Sequence, residues 1–417
     1  MRQREKAFLA ALRLPRQRRV EVEESLDELG RLAESAGAEV VGRLTQERKA
    51  PSASLYFGKG KVEEIKTLSQ REQANLMISD DALSPIQERN LGGSLGLRVI
   101  DRTALILDIF AQRARTMEGK LQVELAQLSY LLPRLVGQWK HLERLGGGIG
   151  TRGPGETQIE SDRRMIRHRI RKITEDLQRV RVHRRLLRDR RKASGVPVVA
   201  LVGYTNAGKT TLLNRLTGAS RTAADQLFVT LDPTARLVSS PPHAPFVLTD
   251  TVGFIRKLPP QLVAAFKATL EELAEATVLV HVVDASHPGL DDQVAAVEQI
   301  LADLDLGERP VVVALNKIDR LDGDASLGAL LERFRGVGVS AVTGAGIEAL
   351  LARVDEALRP GVERAALKIP YADGPALALC YERGRVLSRA DEADGIRLEV
   401  ELPRRLLSPL RAYRDPA

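Results

Sequence analysis

A single cysteine, Cys380, stands in the 417-residue chain, which excludes an internal disulfide and suits a reducing compartment. No run approaches the roughly 20 apolar residues that a membrane-spanning helix needs. The opening "MRQREKAFLAALRLPRQRR" is basic, and its apolar run is too short for a secretory core; an organelle transit peptide is the less favoured reading. The six histidines show no metal-ligand spacing, and His168 and His183 fall in a basic helical stretch as polar surface. Long internal repeats, low-complexity segments and lipidation motifs are also missing. These absences leave a cytoplasmic chain as the expectation, with peripheral membrane association as the reserve.

Positive charge is present in one place. The net charge is +8, but Arg163 to Lys192 alone hold 14 Lys or Arg against 3 acids, or +11, so the remainder sums to −3. Such a block points to a local polyanion contact, above all nucleic acid. The plainer reading is a solvated helix face.

Residues 1–112 alternate strand-like segments ("AEVVGRL", "SLYFG", "NLMISD", "LRVIDRTALIL") with helix-like ones ("EESLDELGRLAESAG", "KVEEIKTLSQREQ"), which predicts an N-terminal α/β domain. Over 113–194 two leucine- and isoleucine-rich seams recur every 3.5 residues. One runs through Leu121, Leu125, Leu128, Leu132, Leu135, Trp139 and Leu142. The other holds Ile166, Ile170, Ile173, Leu177 and Val180, with Leu187 a heptad on. Neither helix buries its stripe alone, so an antiparallel two-helix coiled-coil hairpin is expected, with a kink at Pro133. Residues 195–360 read as a doubly wound, mostly parallel α/β domain. Residues 361–417, with "LKIPYAD", "ALALCYER" and "IRLEVELP" as strands, read as a small C-terminal α+β domain.

The doubly wound segment carries four ordered motifs. "GYTNAGKT" (Gly203 to Thr210) fits G-x-x-x-x-G-K-[ST] between a strand and a helix, the context a phosphate loop requires. Its backbone N–H groups would face phosphates, Lys209 would reach the β- and γ-phosphates, and Thr210 would ligate Mg²⁺. "DTVG" offers Asp250 to the metal through water and the Gly253 N–H to the γ-phosphate. In "NKID", Asp319 can accept two hydrogen bonds from guanine N1–H and N2, a pair adenine lacks; Asn316 would brace the loops and Lys317 would stack along the base. In "SAVTG", the Ala341 N–H is the expected partner of guanine O6. The order and spacing favour GTP over the runner-up, a P-loop ATPase. Between the first two motifs, "DQLFVTLDPTAR" reads as a mobile switch loop with Thr230 as second Mg²⁺ ligand and Thr234 in reserve.

The full nucleotide-binding expectation is Gly203, Tyr204, Thr205, Asn206, Ala207, Gly208, Lys209, Thr210 and Thr211; Phe228, Val229, Thr230, Leu231 and Asp232; Asp250, Thr251, Val252 and Gly253; Asn316, Lys317, Ile318 and Asp319; and Ser340, Ala341 and Val342. Lys209, Thr230 and Gly253 are the catalytic candidates, and Thr210 and Thr230 the metal ligands. Phe254 stands where many GTPases place a water-orienting glutamine; phenylalanine cannot do that, so slow, partner-dependent hydrolysis is expected.

Two further glycine motifs are weaker. "GKGK" (Gly58 to Lys61) could bind an anion, though an ordinary strand–helix turn explains it as well. "LGGGIGTRGPGETQIE" (Leu145 to Glu160) contains a G-x-G-x-x-G match at Gly148, Gly150 and Gly153, with Glu175 and Asp176 downstream. A heptad helix precedes it rather than a strand, so it fails the context of a dinucleotide site. It reads instead as a hairpin tip approaching RNA, with Arg152 and Glu156 as polar contacts and Arg163, Arg164, Arg167 and Arg171 behind it.

With these stretches, and with "DRTALILDIFAQRARTMEGKLQVELAQLSYLLPRLVG" and "DTVGFIRKLPPQLVAAFKATLEE", the chain resembles the HflX family of ribosome-associated GTPases. The resemblance implies a cytoplasmic GTPase that binds GTP, GDP and Mg²⁺ and acts, as a monomer off the ribosome, on the large (50S) subunit and its rRNA near the peptidyl-transferase centre. It implies hydrolysis stimulated by the ribosome, in the service of splitting stalled ribosomes under stress or of subunit assembly. It also marks "GKGK" as the place to look for the ATP binding reported of some members' N-domains. "SSPPHAP" (Ser239 to Pro245) departs from the family pattern, as do Thr210 for serine and Val229 for alanine. A competing class is an RNA-binding scaffold that holds GTP as a structural ligand without turnover.

Overall fold

The computed structural model describes residues 4–143, 154–193, 196–218, 227–228, 234–240, 243, 245–257, 262, 273–321, 324–359, 362–407 and 409–414. The chain divides into two compact units. One holds Met1–Val180 with Gln226–Phe228 and Lys257–Lys267; the other holds Arg181–Asp225, Val229–Arg256 and Ala268–Ala417.

The first unit is built on a four-stranded parallel sheet, in the order β2 (Glu39–Glu47), β1 (Lys6–Arg13), β3 (Leu76–Ser79), β4 (Arg98–Asp101). Strand β1 was hidden in the basic N-terminal stretch. Its six central residues, Ala7 to Leu12, are all buried, as suits a central parallel strand covered on both faces. Helices α1 (Arg19–Ser35), α2 (Lys59–Arg71), α3 (Pro85–Leu95) and α4 (Arg102–Arg113) surround it. Phe8, Phe57, Ile65, Met77 and Leu91 share one core.

Three local expectations are corrected. "SLYFG" is a tight turn, not a strand: Ser52 and Tyr56 exchange backbone hydrogen bonds (2.8 and 3.0 Å), and Tyr56 takes a φ of 62°. "LRVIDRTALIL" is not one strand either. Strand β4 stops at Asp101, whose carboxylate caps α4 by accepting the Ala104 N–H at 2.9 Å. Helix α3 was unforeseen, although Ser84, Pro85 and Gln87 spell a capping box with proline at the first turn.

The helical middle region comprises α5 (Met117–Glu143) and α6 (Pro154–Ala193). Helix α5 continues through Pro133. Among its described side chains the buried apolar ones are Val123, Ala126 and Tyr130, beside the leucine seam, whose Leu121, Leu125, Leu128, Leu132 and Leu135 are only half-buried. The Val123–Tyr130 stripe belongs to a helix that packs on α3 and α4. Arg134 ties α5 down: it pairs with Glu88 (3.0 Å) and Asp101 (3.1 Å), donates to Leu83 O, and lies over the Tyr130 ring. On α6, Ile173 and Leu177 are buried, and Arg169 pairs with Glu124 of α5 at 2.6 Å.

The second unit contains a six-stranded sheet in the order β10 (Val337–Gly338), β9 (Val311–Asn316), β8 (Val278–Asp284), β5 (Val198–Val202), β7 (Phe246–Asp250), β6 (Thr234–Val238). All neighbours are parallel except β6, which runs antiparallel to β7. Helices α7 (Lys209–Thr217), α8 (Leu290–Asp303), α9 (Asp324–Phe334) and α10 (Ile347–Leu358) follow its strands. Strand β8 is buried along all seven residues, five of them apolar, with His281 and Asp284 as the buried polar exceptions. The C-terminal segment is an antiparallel sheet, β11 (Val362–Ile369), β13 (Gly395–Pro403) and β12 (Arg385–Glu392), with helix α11 (Gly374–Arg383). "ALALCYER" is therefore helical, not a strand. Asp373 caps that helix by accepting the Ala376 N–H, and Pro375 sits in its first turn.

Candidate functional site: a phosphate loop and base-reading loops at the carboxyl ends of the parallel strands

Strands β5, β7, β8 and β9 end at Val202, Asp250, Asp284 and Asn316, and the polar residues of the motifs begin there. Ligands of open parallel sheets bind beyond such ends, because the loops gather there on a rigid base. The phosphate loop runs from Gly203 to Gly208 into the N-terminus of α7. Glycine is sterically required both at Gly208 in the loop and at Gly253 in the facing DTVG segment. A Cβ on Gly208, at φ +95°, would sit 2.2 Å from Asn316 Nδ2; one on Gly253 would sit 2.8 Å from Thr205 Cα and 3.2 Å from Lys209 Nζ.

The loop is strapped to the DTVG segment. Thr205 N–H donates to Phe254 O (2.7 Å), Phe254 N–H donates to Gly203 O (3.1 Å), and Arg256 N–H donates to the Tyr204 hydroxyl (2.9 Å). Phe254 itself is 2% exposed, so its ring is core and turns no polar group toward the site.

Lys209 is buried, and its ammonium donates to Gly203 O (3.0 Å) and Tyr204 O (2.9 Å). Burial lowers its pKa to about 8, against the opposing pull of Asp250. An anionic phosphate at the loop would raise the pKa again by favouring the charged form. The Thr210 hydroxyl donates to Asp250 Oδ2 at 2.8 Å. A hydroxyl and a carboxylate side by side form a hard-oxygen donor set that fits Mg²⁺. His281, buried on β8 beside β5, is held neutral: burial first, and then the Lys209 charge, lower its pKa to about 4.

The base-reading side meets the phosphate loop through Asn316, which is 2% exposed. Its Nδ2 donates to Ala207 O (2.8 Å), and its Oδ1 accepts the Ala341 N–H (3.0 Å). The bracing expectation describes this geometry. The Ala341 N–H, however, is engaged by Asn316 rather than open to a base. Lys317, at φ +65°, pairs with Asp284 at 2.7 Å. Asp284 was not singled out from the sequence, although its position at a strand end matched that of Asp250 and Asn316. Asp319 is exposed and has no partner among the described residues, so its carboxylate is available for two donors.

The other expected residues are described only in part. Phe228 belongs to the first unit, where its ring meets Phe110 edge-on at 4.6 Å, and the neighbouring Leu227 N–H donates to Ser35 Oγ. Val229, Thr230, Leu231, Asp232 and Arg152, with Gly148, Gly150 and Gly153, fall outside the described residues. The reserve ligand Thr234 opens β6. Arg164, Arg167 and Arg171 are exposed on α6 and Arg163 is half-buried; Glu175 is exposed too. Gly58 precedes α2, but its N–H donates to Gln46 Oε1 at 2.8 Å, and Lys61 pairs with Glu64. Among the described residues, no helix is long and apolar enough to cross a membrane, and no cluster of His, Cys, Asp and Glu could hold a metal.

Comparison with known proteins decides the family. Family models match the chain almost end to end: "GTP-binding GTPase N-terminal" over residues 23–111, "GTP-binding GTPase Middle Region" over 113–191, "50S ribosome-binding GTPase" over 198–317, and "HflX C-terminal domain" over 330–409. The chain belongs to the HflX family of GTPases. The GTPase HflX of Caldanaerobacter subterraneus subsp. tengcongensis is 49% identical over 393 residues, covering 94% of this chain and 91% of the relative. That of Escherichia coli (strain K12) is 48% identical over 388 residues, 91% and 90% of the two chains. The chain is also similar to the crystal structure of a GTP-binding protein from the archaeon Sulfolobus solfataricus in complex with GDP. There the identity is 26%, the coverage 85% of this chain and 98% of that one, and the TM-score 0.45.

Proposed function

We propose that this HflX-family GTPase hydrolyses GTP to GDP and phosphate with Mg²⁺ on the large ribosomal subunit, and that the subunit completes the catalytic site. The observation that carries the reading is the convergence at one sheet edge of a buried lysine on the phosphate loop, the Thr210–Asp250 oxygen pair and the open Asp319 carboxylate. Lys209 would exchange its two loop carbonyls for β- and γ-phosphate oxygens. The Gly253 N–H would meet the γ-phosphate, and Asp319 would take guanine N1–H and N2. Mg²⁺, when bound, would neutralise phosphate charge; Thr210 would hold it directly, Asp250 through water, and Thr230 is proposed as the second ligand. Because Phe254 is buried and carries no polar group, the chain alone has nothing at that position to orient the attacking water. Intrinsic turnover is therefore slow.

The exposed Arg164, Arg167 and Arg171 step by three and four along α6, so they share one face and suit an RNA backbone. The proposed division is an N-terminal domain to 112, a hairpin to 194, a GTPase domain to 360 and a C-terminal domain beyond. The family model named for 50S binding supports a ribosome-directed role; the proposal places that role in the cytoplasm, in splitting stalled ribosomes under stress or in assembly.

The test is phosphate release by the full chain with and without purified large subunits, at several salt concentrations. Strong stimulation that falls steeply with salt supports the proposal. Tight GTP binding without turnover in either case would leave the scaffold class instead.

A further inference from the structure

The loop Ser340–Gly344 has nearly all of its N–H groups engaged. Ser340 N–H donates to Ala345 O (2.9 Å), Ala341 N–H to Asn316 Oδ1 (3.0 Å), Thr343 N–H to Ser340 Oγ (3.1 Å) and Gly344 N–H to Ser340 O (2.8 Å). Val342 alone keeps an N–H with no partner among the described residues, and it is 66% exposed. The carbonyls beside it are held from one direction. Arg215, on the same helix that begins with Lys209, donates from Nε to Ala341 O at 3.2 Å and from its terminal nitrogen to Val342 O. A Cβ on Gly344, at φ +92°, would lie 3.7 Å from the guanidinium carbon, so this group fills the space beneath the loop.

A trans peptide places its C=O and N–H on opposite edges. Fixing Ala341 O toward Arg215 therefore fixes the Val342 N–H on the far side. We propose that Arg215 is a positioning residue for base selection: it orients the peptide whose free N–H donates to the O6 oxygen of guanine. This rests on the guanine-nucleotide reading of the site. It divides recognition in two. Asp319 reads the N1–H and 2-amino edge, and the Arg215-held peptide reads O6. It also couples the phosphate loop to the base loop, because Lys209 and Arg215 share one short helix.

The full chain and its Arg215→Ala and Arg215→Lys variants would be titrated with GTP, 6-thio-GTP and ITP by competition against a fluorescent GDP. Sulfur in place of O6 is a poorer acceptor, and ITP lacks only the 2-amino group. In Arg215→Ala, the preference for GTP over 6-thio-GTP should fall about fivefold, the worth of one hydrogen bond, while the preference over ITP stays within about twofold. Arg215→Lys keeps the charge with fewer, unforked donors, so it should restore part of the lost preference. It also carries the test if the alanine variant folds poorly. Unchanged ratios in both variants, or an equal fall in both ratios, would overturn the assignment. A wild-type chain with no preference for GTP over ITP would instead overturn the guanine reading itself.

Discussion

Replacing Asn316 with alanine removes the side chain that joins the phosphate loop to the base-reading loop. Two hydrogen bonds vanish, to Ala207 O at 2.8 Å and from Ala341 N at 3.0 Å. Both orphaned groups are buried, since Ala207 is 1% and Ala341 4% exposed. Leaving a buried donor or acceptor unsatisfied costs about 1–3 kcal/mol each. A total of about 3 kcal/mol is expected for the pair, after some relief from water entering the gap. For a folding unit of this size, that should lower the melting temperature by about 6–12 °C. Gly208 packs against the same amide, so nucleotide release should speed up together with the loss of stability. Scanning calorimetry of the apo chain and stopped-flow release of a fluorescent GDP check the two effects. Asn316→Asp keeps the acceptor for Ala341 but loses the donor to Ala207 O, so it should fall between wild type and Asn316→Ala. A melting point within about 2 °C of wild type, with unchanged GDP release, would refute the brace.

Other consequences concern different parts of the chain. Arg102, 2% exposed, pairs with Asp80 (2.6 Å) and Glu28 (2.5 Å), so Arg102→Leu removes the cation that bridges two buried carboxylates, leaves Asp80 to Lys257 and Ser25, and should destabilise the first unit by about 3 kcal/mol in urea unfolding. Gly253→Ala forces its new methyl against Thr205 Cα and toward Lys209 Nζ; GTP turnover should drop about tenfold or more, with GDP affinity less affected, as single-turnover kinetics would show. His243 bridges Asp355 (2.5 Å) and Glu348 (2.7 Å); burial opposes its charge, but these hydrogen bonds outweigh that and hold its pKa above the usual value. Its stabilising contribution is then complete below pH 6.5 and fades as pH rises through the folded-state pKa. The melting-point gap between wild type and His243→Gln should accordingly be widest in mild acid and close in alkali; a gap that widens with pH contradicts the bridge.

The nucleotide motifs were legible because each needs a fixed residue type at a fixed backbone geometry. Lys209, Thr210, Asp250, Asn316 and Asp319 announce a strand end, a turn and a helix start within a few residues. The run in β8 was legible too, since a strand covered on both faces is mostly apolar, and its one mid-strand polar residue, His281, is held neutral. Periodicity alone failed where one side chain changed the outcome. "LRVIDRTALIL" reads as a single strand until Asp101 turns back to cap Ala104, and "ALALCYER" reads as β until Asp373 caps a helix instead. Caps are local, but their effect depends on what the following turn packs against.

Contacts between segments distant in sequence were beyond the sequence's reach. Nothing in "TLLNRL" says that Arg215 holds carbonyls 126 and 127 residues away. Composition does not reveal that the Ala341 N–H is engaged by Asn316 while that of Val342 stays open. Nor does "DQLFVTLDPTAR" show that the Phe228 ring meets that of Phe110 edge-on. The sequence by itself determined that GTP chemistry sits at the ends of parallel strands, because phosphate and guanine recognition demand those residues in that order. Tertiary structure decided which hydrogen-bonding groups remain open there, because a donor is spent or free only once the rest of the chain has packed around it.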